Sequence, residues 1–95
     1  MTTFAVQRVL AGITNQGLAD AQRSAIETAA AYTGSDGPVR YIRSNFYPST
    51  SHCTCLFEAG SADDVREVNR LAGLPFERIE EVLDLVPAAG AGRRQ

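Results

Sequence analysis

Lysine and tryptophan are absent from this chain of 95 residues, and histidine and methionine each occur once. The basic residues are nine arginines set against eleven acids, and a net charge of −2 excludes the broad basic surface that nucleic-acid binding requires. No apolar run reaches the roughly 18 residues of a membrane-spanning helix. The N-terminus also lacks the basic and apolar regions of a signal peptide. These absences predict a cytoplasmic protein that binds neither nucleic acid nor membrane.

Cysteine is also scarce, with only Cys53 and Cys55, two positions apart. Side chains at positions i and i+2 of a β-strand point to the same face, and their Cα atoms lie about 6.5–7 Å apart. That separation is at or beyond the usual limit for a disulfide. We therefore expect two reduced thiols, which is typical of a cytoplasmic protein.

The chain does contain a strand–helix–strand pattern that occurs twice. The first copy comprises Phe4–Leu10, Leu18–Tyr32 and Val39–Tyr47, and the second comprises His52–Ala59, Ala62–Ala72 and Arg78–Val86. Alternating residues in the strands, three- or four-residue apolar spacing in the helices, and intervening glycine or proline support these assignments. The order βαββαβ predicts an α+β, ferredoxin-like domain over residues 1–87, with a four-stranded antiparallel sheet and two helices on one face. Residues 88–95 are predicted to form a disordered tail.

Apolar residues occur on both faces of the predicted strands, although two helices can cover only one face of a sheet. In the fourth strand, Val82 and Val86 alternate with Leu83 and Leu85. A sheet with water on one side would show a cleaner alternation of apolar and polar residues. The second face therefore needs a cover. We expect a homodimer joined through this face, because most soluble oligomers are two-fold symmetric.

The residues best suited to metal binding are His52, Cys53 and Cys55. Imidazole and thiolate groups are good ligands for zinc, nickel or copper. On a regular strand, however, His52 points away from both cysteines. One ion could then contact all three only through a bulge at the hairpin end or through a symmetry-related subunit. The alternative is that both cysteines are small buried apolar residues and His52 is a polar residue at the hairpin end.

Arg8, Tyr41, Arg43 and Glu81 are candidate residues of a ligand pocket, because a strand does not require their chemistry. If they share a face, the charged residues could form an ion-pair network or hold an anion, with Tyr41 as a hydrogen-bond donor. The alternative is that they are paired or solvated residues at the rim of a dimer interface. The first and fourth strands are neighbours in a ferredoxin-like sheet, so we expect Arg8 and Glu81 to lie side by side.

The chain carries no nucleophile elbow, phosphate-binding loop, dinucleotide-binding glycine pattern or paired-histidine motif. His52 is the one histidine that could act in acid–base catalysis. The residues alone therefore leave three functions open. These are a binding protein for a metal ion or small molecule, a small tailoring enzyme without an organic cofactor, and an interaction module that modulates a partner protein.

Six short segments carry a resemblance to a known family. They are Phe4-x-Val6-x-Arg8-x-Leu10, Arg43-Ser44, Cys55-x-Phe57-x-Ala59, Asp64-Val65-Arg66-Glu67, Ala72-Gly73-Leu74-Pro75 and Ile79-x-Glu81-Val82. From Phe4 to Val86 the chain resembles a small bacterial family of unknown function with a ferredoxin-like fold, described in places as nickel-binding-protein-like. The resemblance implies that fold, a dimer, and nickel or another divalent transition metal as a candidate ligand. The shape is also similar to the dimeric α+β barrels of small tailoring enzymes.

Overall fold

The computed structural model describes residues 1–85 and 87. The elements of this part are β1 (Thr2–Val9), α1 (Asn15–Ala31), β2 (Thr33–Gly34), β3 (Gly37–Pro38), β4 (Arg40–Tyr47), β5 (His52–Ala59), α2 (Ala62–Leu71) and β6 (Arg78–Val82). Neither helix of this part has the length and apolar character needed to cross a membrane. Val86 and the predicted tail at 88–95 lie outside the described residues.

Four strands form one antiparallel sheet in the order β4-β5-β1-β6. Strand β1 is central, because it pairs with β5 on one side and with β6 on the other. This arrangement, with both helices packed against one side, confirms the predicted α+β, ferredoxin-like βαββαβ class. We call the helix-packed side, which carries Phe4, Val6 and Phe57, the covered face. The other side, which carries Gln7 and Leu56, is the open face.

The hydrophobic core lies on the covered face, between the sheet and the inner sides of the helices. Val6 and Phe57 from the sheet pack with Ala25 of α1 and with Val65 and Val68 of α2, and all five are buried. Full burial of a large apolar side chain contributes roughly 1.5–3 kcal/mol to stability. The two-residue period of the strands and the three- to four-residue period of the helices therefore converge on one core.

Both helices begin at a capping side chain. Thr14 Oγ1 accepts a hydrogen bond from the Gly17 amide at 2.9 Å, and Ser61 Oγ accepts one from the Asp64 amide at 3.2 Å. Such caps satisfy amide groups that have no partner within the helix. They fix where α1 and α2 start, and therefore where the inner side of each helix faces.

A small hairpin formed by β2 and β3 replaces the simple turn expected after the first helix. It is tied to the start of α2 by Asp64, which is buried. The Asp64 carboxylate accepts hydrogen bonds from the Tyr32 hydroxyl at 2.9 Å and from the Asp36 amide at 3.2 Å. A Cβ atom at Gly34 would collide with the Asp64 carboxylate, so only glycine allows this close approach.

Strand β6 ends at Val82 rather than at the predicted Val86. Leu83 and Leu85 follow the strand and are 85% and 88% exposed. They are therefore not part of an alternating strand. The prediction that β6 carries apolar residues on both of its faces cannot rest on them.

Strand β4 contains a bulge between Tyr41 and Arg43. Tyr41 is in register with Phe57 on the covered face, whereas Arg43 is in register with Leu56 on the open face. Strict two-residue alternation predicted both side chains on the same face. The extra residue of a bulge shifts that alternation by one position, which explains the difference.

Candidate functional site

A cavity of about 340 Å³ lies between α1 and the covered face of the sheet. Its apolar walls include Leu10, Leu18, Ala21, Ala25, Phe46 and Leu74. Alanine at the inner positions of α1 leaves space that longer side chains would fill in a close-packed interior. Polar groups reach the cavity mainly from the sheet, through Arg8, Ser44, Cys53 and Cys55. The site is therefore an apolar pocket with a polar floor.

The two cysteines lie together on this floor, because β5 turns both side chains to the covered face. Cys53 and Cys55 are 4% and 6% exposed, both thiols are free, and their Sγ atoms are 3.8 Å apart. In the sheet register Cys53 is opposite Arg8, and Cys55 is opposite Ser44. The neighbouring strands thus place a cation and a hydroxyl beside the thiol pair.

Arg8 is a buried cation, with a relative exposure of 2%. Its Nη1 donates to the Pro75 carbonyl at 2.9 Å, and its Nη2 donates to Asn69 Oδ1 at 2.6 Å. Its Nε has no partner within the described residues. The ion pairs found in that part of the chain do not include Arg8. The guanidinium is therefore held in place by two neutral oxygens, and one of its three nitrogens has no partner among the described residues.

A chain of hydrogen bonds runs from α1 to the sulfur of Cys55. Gln22 Nε2 donates to the Tyr41 hydroxyl at 3.1 Å, and Ser44 Oγ donates to Cys55 Sγ at 3.0 Å. The Tyr41 and Ser44 oxygens are 2.6 Å apart. Because the single Ser44 proton is directed to the sulfur, Tyr41 must donate to Ser44. Each donor in the chain therefore points towards Cys55.

These contacts set the protonation of the thiol pair. The hydrogen bond from Cys53 lowers the pKa of Cys55 to about 5, the Arg8 charge and the Ser44 hydroxyl act in the same direction, and burial opposes them. The same hydrogen bond, together with burial and the charge on Cys55, raises the pKa of Cys53 well above its usual range. The contacts therefore favour the thiolate form on Cys55 and the neutral thiol on Cys53, with Arg8 as the nearby cation.

Comparison with known proteins places the chain in a family. The model of the family described as "nickel responsive protein SCO4226-like" matches residues 4–82. The chain belongs to this family. The crystal structure of SCO4226 from Streptomyces coelicolor A3(2) shares the fold, with a TM-score of 0.74 and 24% sequence identity, over 88% of this chain and 99% of that one. No functionally curated protein shows significant similarity to the chain.

Of the four predicted pocket residues in this SCO4226-like chain, Arg8 alone lines the cavity described above. Tyr41 reaches it indirectly, through Ser44. Arg43 lies on the open face and forms an ion pair with Asp84 at 2.6 Å. The structure therefore divides the predicted cluster between the two faces of the sheet.

The predicted pairing of Arg8 with Glu81 is wrong. Glu81 is exposed and lies opposite Phe4, whereas β6 begins opposite Gln7. Arg8 and Glu81 are thus offset by four residues, or about 13 Å along the strands. The prediction identified the neighbouring strands correctly but assumed the wrong register.

The three predicted metal ligands do not come together. His52 lies on the open face, where its Nε2 contacts Gln7 Oε1 at 2.7 Å, and both cysteines lie on the covered face. The part of the chain that the structure describes holds no cluster of three or more histidine, cysteine or acidic side chains suited to a metal ion. The strand is regular at this point, so the bulge that could have brought His52 to the thiols does not occur.

Sequence reasoning missed Ser44, Gln22 and Asn69 as site residues. Strict alternation could not place Ser44 in the site, because the bulge in β4 turns it to the covered face. Asn69 follows Val65 by four residues, so it lies on the inner side of α2. A polar residue at that helical position was a signal that a buried polar partner was present.

Proposed function

We propose that this chain binds a small, mainly apolar molecule that carries a carbonyl or carboxylate oxygen, in the cavity between α1 and the sheet. The observation that carries the proposal is the free Nε of buried Arg8 at the wall of this cavity. A buried donor without a partner costs about 1–3 kcal/mol, and more when it is charged. A ligand oxygen that accepts this hydrogen bond would recover that energy.

The form of the cavity supports a ligand of this kind. A volume of about 340 Å³ is within the range of small-molecule sites, roughly 300–1,000 Å³. Apolar side chains from α1 form one side, and the polar groups of β1, β4 and β5 form the other. An amphipathic molecule would therefore bind in one orientation, with its oxygen towards Arg8. An ammonium head group has no acceptor for the Arg8 donor.

The proposal is tested with octanoate and octylamine, which have the same tail and head groups of opposite charge. Binding to the full chain is followed by amide chemical shifts and by calorimetry. We expect octanoate to bind at least tenfold more tightly than octylamine, a difference of about 1.4 kcal/mol. The shifted amides should lie in α1 and near Ser44. Equal binding of the two probes would contradict the proposed role of Arg8.

A pair of variants in α1 separates the cavity from the rest of the surface. Ala21 lines the cavity, whereas Ala30 is exposed on the same helix and does not. Ala21→Leu should fill part of the cavity and weaken octanoate binding about tenfold or more, and Ala30→Leu should leave it unchanged. If both variants bind octanoate as the wild type does, the cavity is not the binding site.

Nickel is the candidate ligand that the family description suggests. The described residues do not fit a resident nickel ion. Among the described residues no third histidine, cysteine or acidic side chain joins the two thiols, and His52 is on the opposite face. We therefore derive no function from nickel at this site.

A nickel titration of the purified chain checks this conclusion. We expect weak binding, and we expect His52→Ala to change the affinity by less than about twofold, because His52 is not combined with the thiols in the described structure. The titration is followed by calorimetry at neutral pH. Tight binding of one ion per chain that is lost in His52→Ala would show that the metal assembles these ligands.

We also propose that the open face is covered by a second copy of this chain. Val9 and Tyr47 on this face are exposed, and so are Leu83 and Leu85 just beyond β6. The charges of the face are balanced in three ion pairs: Arg40–Glu58, Arg43–Asp84 and Arg78–Glu80. A second copy would therefore meet apolar side chains without net repulsion, as an isologous interface requires.

The dimer is tested by size-exclusion chromatography with light scattering at micromolar concentration. We expect about twice the chain mass for the wild type and a monomer for Tyr47→Arg, because a charge would be buried at the interface. Leu71→Arg, at an exposed position of α2, is the matched control and should remain dimeric. A wild-type monomer at high concentration would exclude this interface.

The proposed compartment is the cytoplasm. Both cysteines are free and neither has a disulfide partner in suitable geometry. Free cysteines are typical of proteins in a reducing compartment, which supports this location.

A further inference from the structure

The environment of Cys55 is more specific than a core position requires. Its sulfur accepts a hydrogen bond from the Ser44 hydroxyl at 3.0 Å and lies 3.8 Å from the Cys53 sulfur, which is close enough for a second hydrogen bond. A buried cysteine that only fills space behaves as a small apolar residue and needs neither donor. Donors directed at a sulfur stabilise its anion, and the anion is the nucleophilic form of cysteine.

The donors themselves are held in place by the Gln22–Tyr41–Ser44 chain. Hydrogen bonds in series polarise one another, so the donor that reaches the sulfur is strengthened by those behind it. Gln22 and Ser44 both line the cavity, and Cys55 does as well. A small reagent that enters the cavity would therefore meet the sulfur together with the groups that activate it.

We propose that Cys55 is a peroxide-reactive thiolate, which hydrogen peroxide entering the cavity oxidises to a sulfenic acid. The sulfur attacks one peroxide oxygen, an S–O bond forms, and the O–O bond breaks. The first oxygen keeps its proton, and the electron pair of the broken bond leaves on the second oxygen as hydroxide. Sulfur is oxidised by two electrons and peroxide is reduced by two, so the products are the Cys55 sulfenic acid and hydroxide, which a buffer acid in the solvent neutralises to water.

Arg8 has the position and the free donor to assist this step. It lines the cavity, and its Nε has no partner among the described residues. The leaving oxygen gains negative charge as the O–O bond breaks, and a fixed cation in a buried site stabilises such charge. Arg8 is therefore positioned to stabilise the leaving oxygen, and Ser44 to stabilise the sulfur.

The product should remain a sulfenic acid rather than form an internal disulfide. Cys53 is the nearest thiol, at 3.8 Å between the Sγ atoms. Residues two apart on a strand have Cα atoms about 6.5–7 Å apart, at the limit of disulfide geometry. Closing the bond would distort the centre of the sheet, where β5 pairs with both β1 and β4.

The experiment treats the full wild-type chain with hydrogen peroxide in the presence of dimedone, which traps sulfenic acids. Tandem mass spectrometry then locates the adduct. We expect it on Cys55, formed at least about tenfold faster than on free cysteine at neutral pH. An adduct mainly on Cys53, or formation no faster than on free cysteine, would overturn the proposal. This measurement needs no substitution and so does not depend on the folding of any variant.

Variants then test the assigned roles, with folding checked by circular dichroism. Cys53→Ser keeps a donor next to Cys55 and should retain the adduct. Ser44→Ala should slow its formation about tenfold, because it removes the donor at the end of the chain. Ser24→Ala is the matched control, since Ser24 is a half-buried serine that donates to the Ala72 carbonyl and does not line the cavity. If Ser44→Ala forms the adduct at the wild-type rate, the hydrogen bonds from Gln22, Tyr41 and Ser44 do not activate Cys55.

Discussion

Asn69→Leu is expected to lower the free energy of unfolding by about 2–4 kcal/mol, because it leaves part of a buried cation without a partner. Asn69 Oδ1 accepts from Arg8 Nη2 at 2.6 Å, and the Asn69 amide donates in turn to the Val65 carbonyl at 2.9 Å. Both side chains are buried. For a domain of this size, each kcal/mol shifts the melting temperature by roughly 4–8 °C, so the loss should be evident in a thermal scan and in urea unfolding.

A double-mutant cycle separates two contributions to the lost stability: the missing partner of Arg8 and the change in packing. Arg8→Met removes the charge and its need for acceptors, so Asn69→Leu should destabilise that background by at least about 1 kcal/mol less than it does the wild type. Asn15→Leu, at the exposed first position of α1, is the control and should stay within about 0.5 kcal/mol of the wild type. Equal effects of Asn69→Leu in both backgrounds would show that Arg8 does not depend on Asn69.

Alkylation of Cys55 is expected to be nearly independent of pH between about pH 6.5 and 8.5. The pKa of this thiol is lowered from 9.0 to about 5, so roughly 97% is already thiolate at the lower pH, against about 0.3% of an ordinary thiol. The rate for an ordinary cysteine should rise about 75-fold over this interval, since only the thiolate reacts. The rate of iodoacetamide addition to Cys55, followed by peptide mass spectrometry, measures the difference.

The sign of this expectation is specific to Cys55. A lowered pKa extends reactivity towards acid, so the rate should fall only as the pH approaches 5. Cys53 has a raised pKa and should react slowly throughout. In Cys55→Ser, the remaining Cys53 loses the neighbouring thiolate, and its rate should then rise with pH like that of an ordinary thiol. A rise for Cys55 in the wild type as large as that of an ordinary thiol would contradict the proposed protonation of the pair.

The fold could be predicted because its signals are local and repeated. Apolar alternation, helix caps and turn residues occur in the order βαββαβ, and few topologies satisfy that order. The limits of the prediction were also local. Strict alternation cannot reveal the bulge between Tyr41 and Arg43, which depends on how β4 fits β5. The end of β6 at Val82 depends on how far β1 extends to pair with it.

The site was less predictable, because it depends on burial rather than on residue type. Arg8 alternates in phase with Phe4 and Val6, which was a sign that it shares their covered face. An arginine in that position is normally read as exposed, since charged residues are rarely buried without a partner. Its one side-chain acceptor among the described residues is Asn69, on an element more than half of the chain away, and no local pattern in the sequence connects the two.

The central position of β1 also determines when this sheet can form during synthesis. Residues 2–9 leave the ribosome before residues 52–59 and 78–82, with which they pair. Strand β1 therefore stays unpaired until nearly the whole domain has emerged. Closing such long loops precedes any gain from the contacts they allow, which slows folding relative to a helical bundle. An unpaired apolar strand exposes hydrophobic surface and free backbone groups. It is therefore the segment of the nascent chain on which a chaperone would act first.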